Sequence, residues 1–167
     1  MKSNENGFTL VEILIVVGII ALVGIFAVVA VNSARSKQRD ATRLSNVRQV
    51  QSALEDYFNE TNAYPSGDNV PLGDSGASAC LATTGFHGDC SAEKATIIRI
   101  VPRTYEGGLS GKVTCGNPAR NAFCYSAKQN GELYGIQFEL ENGLTSVGLQ
   151  KGVNCALPGK MQVGACP

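Results

Sequence analysis

Cysteine is the residue type in this sequence whose chemistry is easiest to read. Six cysteines occur, at positions 80, 90, 115, 124, 155 and 166, and all of them lie C-terminal to a long apolar block. An even number in a small domain beyond such a block reads as disulfide bonds formed in an oxidising compartment. Zinc is the competing use, but there is no C-x-x-C and His87 is the only histidine, so a metal tetrahedron lacks donors. Six cysteines can pair in many ways. Their spacing points to three local staples, Cys80 with Cys90, Cys115 with Cys124 and Cys155 with Cys166. Each would close a loop of about ten residues and contribute about 2.5–3 kcal/mol in the chain-entropy model.

Glu12 is the second group with a chemical consequence, a lone acid four residues after Phe8 at the head of the apolar block. An ionised carboxylate in hydrocarbon is costly, so such a residue implies a cationic partner; snorkelling into lipid headgroups is the plainer alternative. Asp68, Asn69 and Asp74 carry oxygen ligands for calcium but lack the ligand spacing of a known loop, and a solvated turn explains them. His87, in GFHGDC, reads as a loop residue. There is no glycine-rich phosphate loop, nucleophile elbow or two-histidine metal motif. The reading is therefore not an enzyme, with no catalytic residue, no cofactor and no resident metal. Fourteen basic and fourteen acidic residues cancel, which gives no general attraction to nucleic acid.

These groups need elements to position them. Residues 13–31, ILIVVGIIALVGIFAVVAV, carry no charge, and with FTLVE before them the stretch reaches about 36 Å as a helix, enough to cross a bilayer core of about 30 Å. Removable secretory signals have shorter apolar regions followed by a small-residue cleavage site, which is absent after Val31. No Gly or Pro occurs between Gly24 and Pro65, so the helix is expected to continue, for about 50 residues and about 75 Å in all. Ala41, Leu44, Val47, Val50, Leu54, Tyr57 and Phe58 form an apolar stripe. Arg35, Lys37, Arg39, Arg43, Arg48, Glu55 and Asp56 are assigned to the polar faces, and Asn62 with Tyr64-Pro65 to the stop.

Near the C-terminus, two Asn-Gly pairs interrupt alternating runs, at 130–131 and 142–143. Asn-Gly favours the type I′ turn because both central residues need positive φ. Two such turns predict a three-stranded antiparallel meander in which Gln129 pairs with Glu132 and Glu141 with Leu144. Counting outward places Phe123, Phe138 and Val147 in one row and Tyr125, Ile136 and Leu149 in the next. Ala127 and Tyr134 complete an apolar face that packs on the helix stripe, while Lys128, Gln137 and Glu139 point away. Residues 66–120 are rich in turn material such as YEGGLSG, and ATIIRIV (95–101) reads equally as a strand or a short helix.

The opening MKSNENG-FTLVE resembles the class III signal of type IV pilin precursors and of their relatives, the type II secretion pseudopilins. A polar leader ends in Gly7, Phe8 opens the apolar helix, and Glu12 follows. The likeness continues through KQRDATRLSNVRQVQSALEDYFNETNAYPSG, fades over 66–120 and returns as the sheet. It implies an α+β, pilin-like fold: a leader peptide 1–7, a transmembrane and filament-core helix 8–31, an amphipathic helix 32–62 and a β-rich head 63–167 with disulfide-stapled loops. It also implies that a prepilin peptidase cuts after Gly7 and methylates the new amino group of Phe8, and that Glu12 meets that group on a neighbouring subunit. The implied function is a structural subunit of a type IV pilus, serving adhesion, twitching movement or DNA uptake. Its partners would be identical subunits and the assembly machinery, and its location the bacterial inner membrane and then the cell surface. The major pseudopilin of a type II secretion system is the alternative. Unlike many major pilins the apolar helix has no proline, only Gly18 and Gly24. Arg35, Lys37, Arg39 and Arg43 would lie on the exported side, against the positive-inside rule; the cysteine-rich domain and the leader set the orientation instead.

Overall fold

The structure is a computed structural model that describes residues 7–104 and 106–167. The leader therefore lies outside the described residues except for Gly7, as does Tyr105 of the YEGGLSG segment. The chain divides into two compact units, one ending at Arg35 and the other running from Ser36 to Pro167. A single helix, α1 (Leu10–Thr61), contributes to both.

In the first unit α1 carries the apolar block. Between Phe8 and Val31 the large apolar side chains leave 47% to 80% of their surface exposed. By length and composition the helix can cross a membrane.

In the second unit α1 behaves as an amphipathic helix. Leu44, Val47, Val50, Ala53, Leu54 and Tyr57 are buried, and each such aliphatic side chain contributes about 1.5–3 kcal/mol when fully covered. Ala41 is exposed, so the stripe does not begin there. It begins with charge: Asp40 and Arg43, the latter assigned above to a polar face, are both fully buried. The helix stops where Asn62 enters the left-handed region (φ 59°). Its N–H closes on the Phe58 carbonyl at 2.8 Å, in the manner of a left-handed C-terminal cap.

Among the described residues ten strands follow: β1 (Val70–Pro71), β2 (Cys80–Ala82), β3 (Gly85–His87), β4 (Thr96–Ile98), β5 (Thr114–Cys115), β6 (Arg120–Asn121), β7 (Cys124–Lys128), β8 (Leu133–Leu144), β9 (Leu149–Leu157) and β10 (Lys160–Val163). The main sheet is antiparallel with order β1-β7-β8-β9-β10, joined by a three-stranded sheet β3-β2-β4 and a ribbon β5-β6. The ambiguous ATIIRIV run thus supplies a strand, β4, paired with β2. The expected three-stranded meander is the centre of a five-stranded sheet. β10 was missed although Pro158-Gly159 separates paired Leu157 and Lys160, a turn signal as good as Asn-Gly.

The first hairpin has the expected register, with Tyr125 opposite Ile136 and Ala127 opposite Tyr134. Asn130 and Gly131 take positive φ (55° and 90°). The second does not. β8 runs straight through Asn142-Gly143, and the chain reverses at Thr145–Val147 and Gly148. Leu140 pairs with Gly152 but Gly143 with Gln150, so one extra residue is accommodated in β8 as a bulge. The positive φ that Gly143 supplies (82°) serves that bulge rather than a turn. Consequently Ile136 faces Ala156 and Phe138 faces Asn154, while Val147 is 41% exposed in the turn. The inner face of Tyr125, Tyr134, Ile136, Phe138, Leu140 and Leu149 packs with the α1 stripe in one core.

A pair of glycine substitutions tests the bulge. Both Gly143 and Gly148 hold left-handed φ, which costs a side-chain-bearing residue about 1–2 kcal/mol. At Gly148 a Cβ meets open space, whereas at Gly143 it would lie 2.7 Å from the backbone of Gln150 and Lys151. Urea denaturation should therefore show Gly143→Ala losing clearly more stability than Gly148→Ala; the reverse order would place the turn at Asn142-Gly143 after all.

Candidate functional site

Gly7, Phe8 and Thr9 precede the helix as exposed, irregular backbone. Thr9 caps α1: its hydroxyl oxygen accepts the Glu12 N–H at 3.3 Å and its carbonyl accepts the Ile13 N–H at 3.3 Å. Thr-x-x-Glu is the pattern of a capping box, and the Glu12 carboxylate sits in the first turn, where the helix dipole favours negative charge. The Gly7–Phe8 pair is thus exposed and outside the helix. One turn further on the helix is wholly apolar. Among the described residues the Glu12 carboxylate has no ion-pair partner within its own chain.

Residues 2–30 match the family model described as the prokaryotic N-terminal methylation motif. The chain carries the class III signal of type IV pilins and pseudopilins. Comparison with curated proteins and with solved structures gives no match. The motif marks a structural, pilin-type family rather than an enzyme family. Together with one apolar helix it fits a membrane-anchored precursor of the kind prepilin peptidase processes. The fold accords with this class: one long N-terminal helix packed on antiparallel sheets, with three disulfides.

The disulfides of the head are Cys80–Cys90, Cys115–Cys124 and Cys155–Cys166, with Cα atoms 6.2, 5.7 and 5.1 Å apart. Each closes a local loop, the paired positions lying 9 to 11 residues apart in the sequence. His87 is the last residue of β3, its Nε2 2.8 Å from the Thr84 hydroxyl and 3.8 Å from Glu93. Asp74 belongs to a turn, accepting the Gly76 N–H at 2.9 Å and pairing with Arg120.

The polar centre of the head is one that sequence reasoning missed. Arg43 donates to Asp40 at 2.9 Å, to Glu141 at 2.7 Å and to the Gly107 carbonyl at 2.5 Å. Arg39 meets the same Glu141 carboxylate in a fork, with two contacts of 2.7 Å. Asp40 in turn accepts the backbone N–H groups of Glu141 and Asn142, both at 2.8 Å, and so caps the β8 bulge from the helix. The Arg39 hydrogen bonds, with Arg43 beside them, outweigh partial burial and hold the Glu141 carboxyl down to about 2. Glu139, on the other face of β8, is also buried. Burial alone would raise it, but the N–H and hydroxyl of Ser110 and the N–H of Lys112 hold it below the usual carboxylate range. A signal was available in the stripe itself: Asp40, Arg43, Leu44 and Val47 share one helical period, so charge at its first positions requires partners in the core.

Removing Glu141 takes from the buried Arg43 one of the two carboxylates that pair with it among the described residues. Glu141→Gln should cost about 3–5 kcal/mol at neutral pH, the penalty for breaking a buried ion pair. A carboxyl that titrates near 4.5 when unperturbed and at about 2 when folded stabilises fully above 4.5 and loses that contribution as pH falls toward 2. Chemical denaturation at a series of pH values should thus show the gap between wild type and Glu141→Gln narrowing through that window. A gap that stays constant there would disprove the charge-based role.

Proposed function

We propose that this chain is the pilin subunit of a type IV pilus, exported as a membrane-inserted precursor. On this reading prepilin peptidase cleaves it after Gly7 and methylates Phe8. The mature subunit then polymerises with identical copies through its N-terminal helix, passing from the bacterial inner membrane to a cell-surface filament. The observation that carries the reading is the methylation motif at residues 2–30, set on a helix whose apolar side chains from Phe8 to Val31 are exposed. Such a surface is stable only in lipid or against other apolar helices. A bilayer serves the precursor, and a bundle of the same helices serves the filament.

Glu12 supplies the assembly contact. A carboxylate among apolar helices costs several kcal/mol unless paired, so it persists where assembly supplies a cation. Cleavage after Gly7 creates an amino group on Phe8 at the matching end of a neighbour's helix. Gly7 and Phe8 stand outside α1, which suits them to be cut. The Cys80–Cys90, Cys115–Cys124 and Cys155–Cys166 bridges suit a fibre exposed to an oxidising exterior. Type II secretion pseudopilins share the motif, so the major pseudopilin is the second reading. Filaments sheared from the surface of cells at native expression favour the pilus; confinement of the subunit to the cell envelope favours the pseudopilus.

Glu12→Ala should insert, be cleaved and form its head normally, because the peptidase reads the Gly7–Phe8 junction and α1 keeps its Thr9 cap, while filament yield collapses. Sheared filament should be quantified against membrane-bound mature subunit, with the disulfides checked in both. Normal filament yield from the variant would make Glu12 a headgroup-facing bystander and remove the proposed assembly contact.

A further inference from the structure

The outer face of the main sheet carries a cleft that the filament reading does not use. On paired strands, directly opposite residues share a face, so Cys124, Ser126, Gly135 and Gln137 lie together on the side away from Tyr125, Ile136 and the helix core. Two disulfides flank this patch, Cys115–Cys124 and Cys155–Cys166. Gly135 makes the close approach possible: a Cβ there would lie 2.9 Å from the Cys166 sulfur. The result is a cleft of about 170 Å³ with rigid walls.

Its lining is rich in hydrogen-bond donors. Lys112 and Lys128 both line it, together with Thr114, Ser126, Gln137 and Asn69. Among the described residues no carboxylate lines the cleft, and neither lysine has an ion-pair partner. The buried Glu139 carboxylate is already occupied by Ser110 and the Lys112 N–H. The Ser126 oxygen accepts the Asn69 N–H at 3.0 Å, which leaves its own proton free to donate.

We infer that this cleft binds a small sugar bearing one oxyanion, the carboxylate or phosphate between Lys112 and Lys128 and the ring hydroxyls against Ser126, Thr114, Asn69 and Gln137. The ammonium groups of two lysines on one cleft match one anionic group. Amides and hydroxyls, which both donate and accept, match neutral hydroxyls. The volume lies below the roughly 300 Å³ of a drug-sized pocket, which limits the ligand to a single small unit. Among the described residues no aromatic side chain lines the cleft, so they offer no stacking platform for a nucleic-acid strand. An apolar groove of about 430 Å³, which shares Lys128 and Gly135 and is walled by Leu133, Leu157 and Pro158, adjoins it and can take the apolar face of a linked unit.

The test is calorimetric titration of the full chain in uncharged detergent micelles, with glucuronate, glucose and inorganic phosphate in parallel. Glucuronate should bind saturably, phosphate more weakly and glucose not at all. In a Lys112→Gln, Lys128→Gln double variant, which alters only exposed side chains, glucuronate affinity should fall at least about tenfold, since each hydrogen bond to a charged group is worth about that factor. Unchanged thermal unfolding of the variant shows that the loss is local. Equal affinity in the variant, equal binding of glucose, or phosphate binding as tightly as glucuronate would each overturn the assignment, the last by reducing the cleft to a site for any anion.

Discussion

Arg43 is fully buried, and the head is organised around the need to neutralise it. Among the described residues two carboxylates and a carbonyl meet its guanidinium, and one of those carboxylates, Glu141, also takes two contacts from Arg39. Two cations and two anions thus cancel within one cluster. Such clusters add little net stability over apolar packing, because desolvation offsets attraction; what they supply here is position. Asp40 can bond the N–H groups of Glu141 and Asn142 only if β8 bulges at that point. The bulge delays the hairpin to Thr145–Gly148 and so sets the register of β9. Through β9 it also fixes where Cys155 stands to meet Cys166.

The same helix faces two different demands along its length. From Asp40 to Tyr57 one side is committed to the head, with a charged cluster at the start and an aromatic group at the end, where Tyr64 packs edge-on against Tyr134 at 4.6 Å. From Leu10 to Val31 every side chain is exposed and nearly all are apolar. Propensity does not separate these stretches, since neither has a helix breaker after Gly24; only the pattern does. An amphipathic period implies a partner within the head, and a uniformly apolar stretch implies lipid or other helices.

Features coded by local chemistry were legible in the sequence. The length of α1, its stop at Asn62, the first Asn-Gly hairpin with its register, and an α+β architecture with three disulfides all follow from residue types at fixed spacing. The N-terminal signal was legible for the same reason, as contiguous residues from Gly7 to Glu12. Features coded by distant pairings were not. Asn142-Gly143 has turn chemistry, but the carboxylate that converts it into a bulge is Asp40, about a hundred residues away. Arg43 reads as a surface cation until Glu141 is placed beside it. β1 is two residues long and contains a proline, so periodicity has nothing to detect. The cleft at Lys112 and Lys128 depends on a glycine on one strand and a cysteine near the chain end, which no local motif joins.

We propose that Gly7–Phe8 is a processing junction and that the apolar helix stays with the mature subunit as its means of assembly. Intact-mass spectrometry of subunits sheared from the surface of cells tests this most directly. A single chain beginning at Phe8 is expected, heavier by the net CH2 of one N-methylation and lighter by the six hydrogens of three disulfides. A subunit that retains MKSNENG, or one that has lost the apolar helix to cleavage beyond Val31, would contradict it.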